Sequence, residues 1–89
     1  MAIHELKTWP VHFRDVIRPN KMLRKMVEIR LDDRGYAVGD TLILKEYQPH
    51  HEEYTGAWAE VQVSHILKGS PWLPDGYIAM SIHLLDFDI

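Results

Sequence analysis

Three charged residues stand close together in the stretch KMVEIR, residues 25 to 30: Lys25, Glu28 and Arg30. A glutamate flanked in space by two cations stays anionic and can turn both of them toward a phosphate or a carbonyl oxygen. On a solvated strand the same trio would be an ion-pair ladder of little energetic consequence. Successive side chains of a strand point to opposite faces. The alternation therefore predicts Val27 and Ile29 in a core, with Met26, Glu28 and Arg30 sharing the other face.

The remaining residue types offer weaker chemistry. Six histidines include His50 and His51 in PHHEE, followed by Glu52 and Glu53. Adjacent loop residues rarely chelate one ion through both side chains, and no further ligands stand at familiar metal spacing, so no metal is expected. His4, His12 and His83 are scattered, as surface or core-edge histidines are; His65 falls on the apolar side of its strand, where a neutral, hydrogen-bonded ring is expected. Tyr36, Trp58, Trp72 and Tyr77 could stack on bases, although aromatics in a small domain more often fill or edge the core. Gly35 and Gly39 serve turns rather than a phosphate loop, and Ser64, Ser70 and Ser81 lack a nucleophile-elbow context.

These groups must be positioned by one small domain, residues 1–89. A polar hairpin loop, YQPHHEEYTG, and a punctuated stretch, KGSPWLPDG, separate the predicted strands. Strands are expected over Met26 to Leu31, Thr41 to Tyr47, Ala57 to Leu67 and Tyr77 to Leu85. In the last two, Val61, Val63 and Leu67, and Ile78, Met80, Ile82 and Leu84, form the core faces. A short amphipathic helix is expected from Trp9 to Arg18, with Thr8 as N-cap, Pro10 in the first turn, Trp9, Phe13, Val16 and Ile17 on one stripe, and Pro19 ending it. The connection NKMLRK is short enough to hold one further helical turn. Mostly antiparallel strands with one helix predict a mainly β, α+β domain: a small β-barrel with the N-terminal helix packed against it. An open sheet with the helix on one face is the alternative.

Charge is segregated. The net charge is −3, yet Arg14 to Arg34 holds seven cations against four anions, whereas Glu46 to Ile89 holds only Lys68 against seven anions. If the first segment forms one surface it can hold a phosphate-bearing ligand, while the acidic remainder disfavours a long polyanion. With no cysteine there is no disulfide, thiolate zinc site or cysteine nucleophile. The apolar runs are too short to span a bilayer and the N-terminus lacks a signal pattern, so a cytoplasmic location is expected.

Read end to end, HELKTWPVHF, KMVEIRLDDRGYAVGD, LILKEYQP, YTG and PDGYIAMSI are similar to a small bacterial and phage family of unknown function related to the ASCH domain, in the PUA-like superfamily. The run from Lys25 to Asp40 carries the most specific part, which resembles the ASCH pattern of a glycine followed by lysine, glutamate and arginine. Lys25, Glu28 and Arg30 match; Leu23 stands near the glycine position, and Asn20 is the candidate for a left-handed turn in its place. The resemblance implies a PUA-like barrel with a ligand cleft beside the helix, binding RNA or a nucleotide-like ligand. Some ASCH-like proteins are amidohydrolases acting on acylated cytidine through a lysine, a threonine and a glutamate, and others have been proposed to cut RNA. Lys25 matches that lysine, but Glu28 stands where those members have threonine, and the later glutamate has no assigned counterpart here.

The expected ligand site is therefore Lys25, Glu28 and Arg30 with Lys7 and Tyr36 nearby, holding a nucleotide or short RNA without cofactor, metal or membrane. A small hydrolase using Lys25 and Glu28, and a protein-interaction module without small ligand, are the alternatives.

Overall fold

The cleanest alternation in the chain, Ile78, Met80 and Ile82 against Tyr77, Ala79 and Ser81, forms a strand whose first set is buried. The computed structural model describes residues 1–89. Its elements are β1 (Ile3–Thr8), α1 (Pro10–Val16), a single 3-10 turn (Lys21–Leu23), β2 (Val27–Leu31), β3 (Thr41–Gln48), β4 (Glu53–Lys68) and β5 (Tyr77–Asp88). The strands form one five-stranded sheet in the order β1-β3-β4-β5-β2. Only β1 and β3 pair in parallel, Ile3 opposite Thr41 through Thr8 opposite Glu46. A parallel pair needs a crossover, and here it comprises α1, the 3-10 turn and β2.

The sheet curls into a half-barrel. Its concave side buries Leu6, Leu42, Leu44, Ala59, Val61, Val63, Ile78, Met80 and Ile82, and α1 adds Phe13 and Val16. The barrel is not closed by backbone: β1 and β2 are the two ends of the strand order and do not pair. Arginines from the β2 side bridge this seam instead. Arg30 donates through Nη2 to the Lys7 carbonyl at 3.1 Å, and Arg34 donates through Nη1 to the Glu5 carbonyl at 2.9 Å.

Several expectations are corrected. The N-terminal strand β1 has no counterpart among the expected strands. Thr8 ends that strand instead of capping the helix; Trp9 takes the cap position with extended backbone and no side-chain cap, and its carbonyl accepts from the His12 and Phe13 N–H groups. Helix α1 is shorter than Trp9 to Arg18 because Ile17 already leaves helical geometry. Asn20 is extended (φ −78°, ψ 110°), not left-handed, and caps the 3-10 turn by accepting from the Met22 N–H. Gly56, read as part of the loop, lies inside β4 at φ 95°, a conformation open to a residue without Cβ.

Two errors concern which way strand residues face. A register shift between Val63 and His65 in β4 adds a residue and reverses the alternation beyond it. His65 and Leu67 are consequently exposed and Ile66 turns toward the core. In β2 the predicted faces are inverted: Glu28 is 3% exposed, while Val27 and Ile29 are 42% and 55% exposed. The charged face of KMVEIR is the inward one.

Candidate functional site

A buried carboxylate is tolerable only when its lone pairs are satisfied. Lys25 donates through Nζ to Glu28 Oε1 at 2.6 Å, and Arg30 donates through Nε to Oε2 at 3.0 Å. Each oxygen therefore has its own cation, and both cations remain partly open to solvent. Arg30 has three further N–H donors beyond those bound to Glu28 and Lys7, and Lys25 has two beyond Glu28. Glu28 thus holds two cationic heads in place while leaving most of their donors free.

These heads face a cleft of about 500 Å³ that lies along the seam between the unpaired strands. Lys7, Thr8 and Trp9 form one wall, Lys25 with the β2 residues Val27 to Arg30 forms the other, and His12 of α1 stands at one end. Val27 and Ile29 enter this wall although their side chains point outward. The Met26 carbonyl accepts from the Ile82 N–H, so alternation turns the backbone of residues 26, 28 and 30 toward β5 and that of Val27 and Ile29 toward the open edge. The edge-facing main-chain groups of Val27 and Ile29 have no strand partner, because β2 ends the sheet.

Three cations, Lys7, Lys25 and Arg30, share the cleft with one carboxylate, so the cleft favours an anion. Lys7 has no carboxylate within 4 Å; its Nζ lies 4.5 Å from the centroid of the Tyr47 ring. Trp9 is 56% exposed and presents an aromatic surface at the cleft. Thr8 carries the one buried side-chain polar atom in the molecule without a hydrogen-bond partner, its Oγ1. An orphaned buried hydroxyl is costly.

The expected site residues Lys7, Lys25, Glu28 and Arg30 all line the cleft. Tyr36 does not. It is buried outside the cleft wall, its ring 4.7 Å from that of His4, with its backbone N–H donating to Asp32. Burial raises its phenol pKa, offset in part by the charges of Arg34 and Arg30. His50 and His51 lie in the β3–β4 turn, away from the cleft. Thr8, Trp9 and His12 were missed as site residues. Their sequence context reads as a helix start, and only the strand pairing of β1 brings them opposite β2.

The sequence profile of a family described as a domain of unknown function, DUF3850, matches residues 3–82. The chain belongs to this family. The match runs through every element that walls the cleft, so the seam is inside the DUF3850 domain. The chain is also similar to an uncharacterized 12.9 kDa protein in the GpA 3′ region of Escherichia phage P2, with 37% identity over 73 residues. That alignment covers 82% of this chain and 62% of the phage protein, so this DUF3850 chain matches less than two thirds of that relative. No helix is long and apolar enough to cross a membrane.

Proposed function

We propose that this chain binds a nucleotide or a short single-stranded RNA segment in the seam cleft. The observation that carries the reading is the pairing of unspent cationic donors on Lys25 and Arg30 with a half-exposed Trp9 across one cleft. Arginine and lysine suit a phosphate, an aromatic face suits any base, and the free edge groups of Val27 and Ile29 suit polar base edges. Glu28 positions the cations. The half-barrel is read as PUA-like, in keeping with the resemblance of Lys25 to Asp40 to the ASCH pattern, and the location as cytoplasmic.

Thermal-shift and fluorescence titrations with ribonucleosides, their monophosphates and short RNA oligomers at two salt concentrations test this. Stabilisation that weakens in Arg30→Ala and Lys25→Ala, falls with salt and quenches a signal absent from Trp9→Phe is the expected result. Equal binding in native protein, Lys25→Ala and Arg30→Ala would remove the site assignment. Conversion of an acylated nucleoside or cleavage of the RNA, lost in Lys25→Met, would instead establish a hydrolase in the same cleft.

A further inference from the structure

Ten cations are present, and six of them have a carboxylate within 4 Å: Arg14, Arg18, Lys25, Arg30, Arg34 and Lys45. The four others are Lys7, Lys21, Arg24 and Lys68. Lys7 belongs to the seam cleft. Lys21 and Arg24 line a second, smaller cavity of about 160 Å³, roughly the liquid volume of five waters. Lys25 and His83 complete its polar wall, the buried Val16 and Ile82 contribute apolar surface, and no acidic side chain lines it.

We propose that this second cavity is a phosphate subsite. In a chain of net charge −3, an acid-free cavity lined by two cations that have no carboxylate within 4 Å favours an anionic occupant. Arg24 is already oriented: its Nε donates to the Arg18 carbonyl at 2.6 Å, and its remaining guanidinium donors are uncommitted. Of the two flanking acids, Glu28 is held by Lys25 and Arg30, and Asp15 by a two-point contact with Arg18, at 3.0 and 2.7 Å. The Asp15 backbone carbonyl in turn accepts from the Lys25 N–H at 2.9 Å, which fixes the chain between the two cavities. The apolar part of the wall lowers the local dielectric and strengthens each charge–charge contact.

Lys25 lines both cavities. Building on the nucleotide reading of the seam cleft, the ligand places its nucleoside part in the larger cavity and a phosphate in the smaller one, passing over Lys25. This names the ligand class: a nucleotide or oligonucleotide carrying a phosphate, preferred over the free nucleoside.

The test is an amide-resolved NMR titration of the full chain with inorganic phosphate, with the four ribonucleosides, and with their monophosphates. Phosphate should shift the Arg24, Lys25 and His83 amides in a saturable way. The double variant Lys21→Gln/Arg24→Gln should weaken phosphate binding about tenfold or more and reduce the advantage of monophosphates over nucleosides. Lys68→Gln, which removes an unpaired cation outside both cavities, should leave binding unchanged. An unsaturable response, an unchanged affinity in the double variant, or an equal loss in Lys68→Gln would overturn the subsite. Nucleoside binding without any gain from phosphate would overturn it and spare the reading of the larger cleft. Phosphate bound at Arg24 with no nucleoside bound would support the subsite and refute that larger reading.

Discussion

Arg30 donates to the main-chain carbonyl of Lys7 at 3.1 Å, across a seam where their strands exchange no backbone hydrogen bonds. The contact joins residues far apart in sequence and does so with a side chain, which can release the carbonyl without unfolding either strand. The seam is therefore tied but not zipped. A ligand that drew this guanidinium into the cleft would couple its own binding to the tie between β1 and β2.

Glu28→Gln removes the charge that both Lys25 and Arg30 address. Two cations would then face a neutral amide. Breaking a buried ion network costs several kcal/mol, but these cations are about a quarter exposed, and solvent screening reduces the cost to roughly 1–3 kcal/mol. Urea denaturation should show this loss, and added salt should recover part of it. An unchanged midpoint would mean that Glu28 is not the anchor of the cleft.

Thr8→Val should separate stability from binding. Its Oγ1 is buried and unpartnered, so replacing the hydroxyl with a methyl group should leave stability unchanged or raise it by about 1 kcal/mol. Affinity for the nucleotide probes should be unchanged, because the hydroxyl has no accessible surface toward the cleft. A variant that is both destabilised and fully competent to bind would show that the hydroxyl serves the fold.

Asp40 makes a pH prediction. It accepts from His4 Nε2 at 2.9 Å and from the Ala2 and Ala37 N–H groups, each at 3.0 Å. These contacts, the His4 bond foremost, hold its carboxyl below the usual value. The folded protein therefore gives up this proton more readily than the unfolded chain. The resulting stability is complete above the unfolded value of about pH 4 and is lost as pH falls through the lower folded value. Asp40→Asn should be less stable at neutral pH and should lose less on acidification, as read from melting temperature against pH.

Ile29→Thr should change stability by no more than about 0.5 kcal/mol, because Ile29 lies on the half-exposed outer face of β2. Met80→Ala, at a fully buried position of β5, should cost about 2–5 kcal/mol. The reverse order would mean that β2 sits with its aliphatic face inward.

The difference between β5 and β2 explains what could be read in advance. In β5, Ile78, Met80 and Ile82 alternate over a run long enough to set the phase, and burial follows it. In β2, two aliphatics flank one glutamate, and apolarity alone assigns them inward; only the pairing of Glu28 with both Lys25 and Arg30 makes the opposite phase tolerable. Strand β1 escaped notice because Glu5 and Lys7 interrupt its apolar signal and its partner, β3, lies beyond an intervening helix and strand. The Lys25, Glu28 and Arg30 trio was legible because it is local in sequence. Thr8 and Trp9 were not, since residues before a proline at a helix start carry a capping signal whether or not they also face a cleft. His65 turned outward through a register shift in β4 that no residue type announces.

The two arginines on the seam have an effect beyond any ligand. An open strand edge is a template on which another molecule can add a strand. By occupying the Lys7 and Glu5 carbonyls, Arg30 and Arg34 place fixed positive charge along the free edge of β1. A second copy presenting the same edge meets two carbonyls already taken by side-chain donors instead of a free row of acceptors. Replacing both arginines would free those acceptors and make the β1 edge a better template for strand addition.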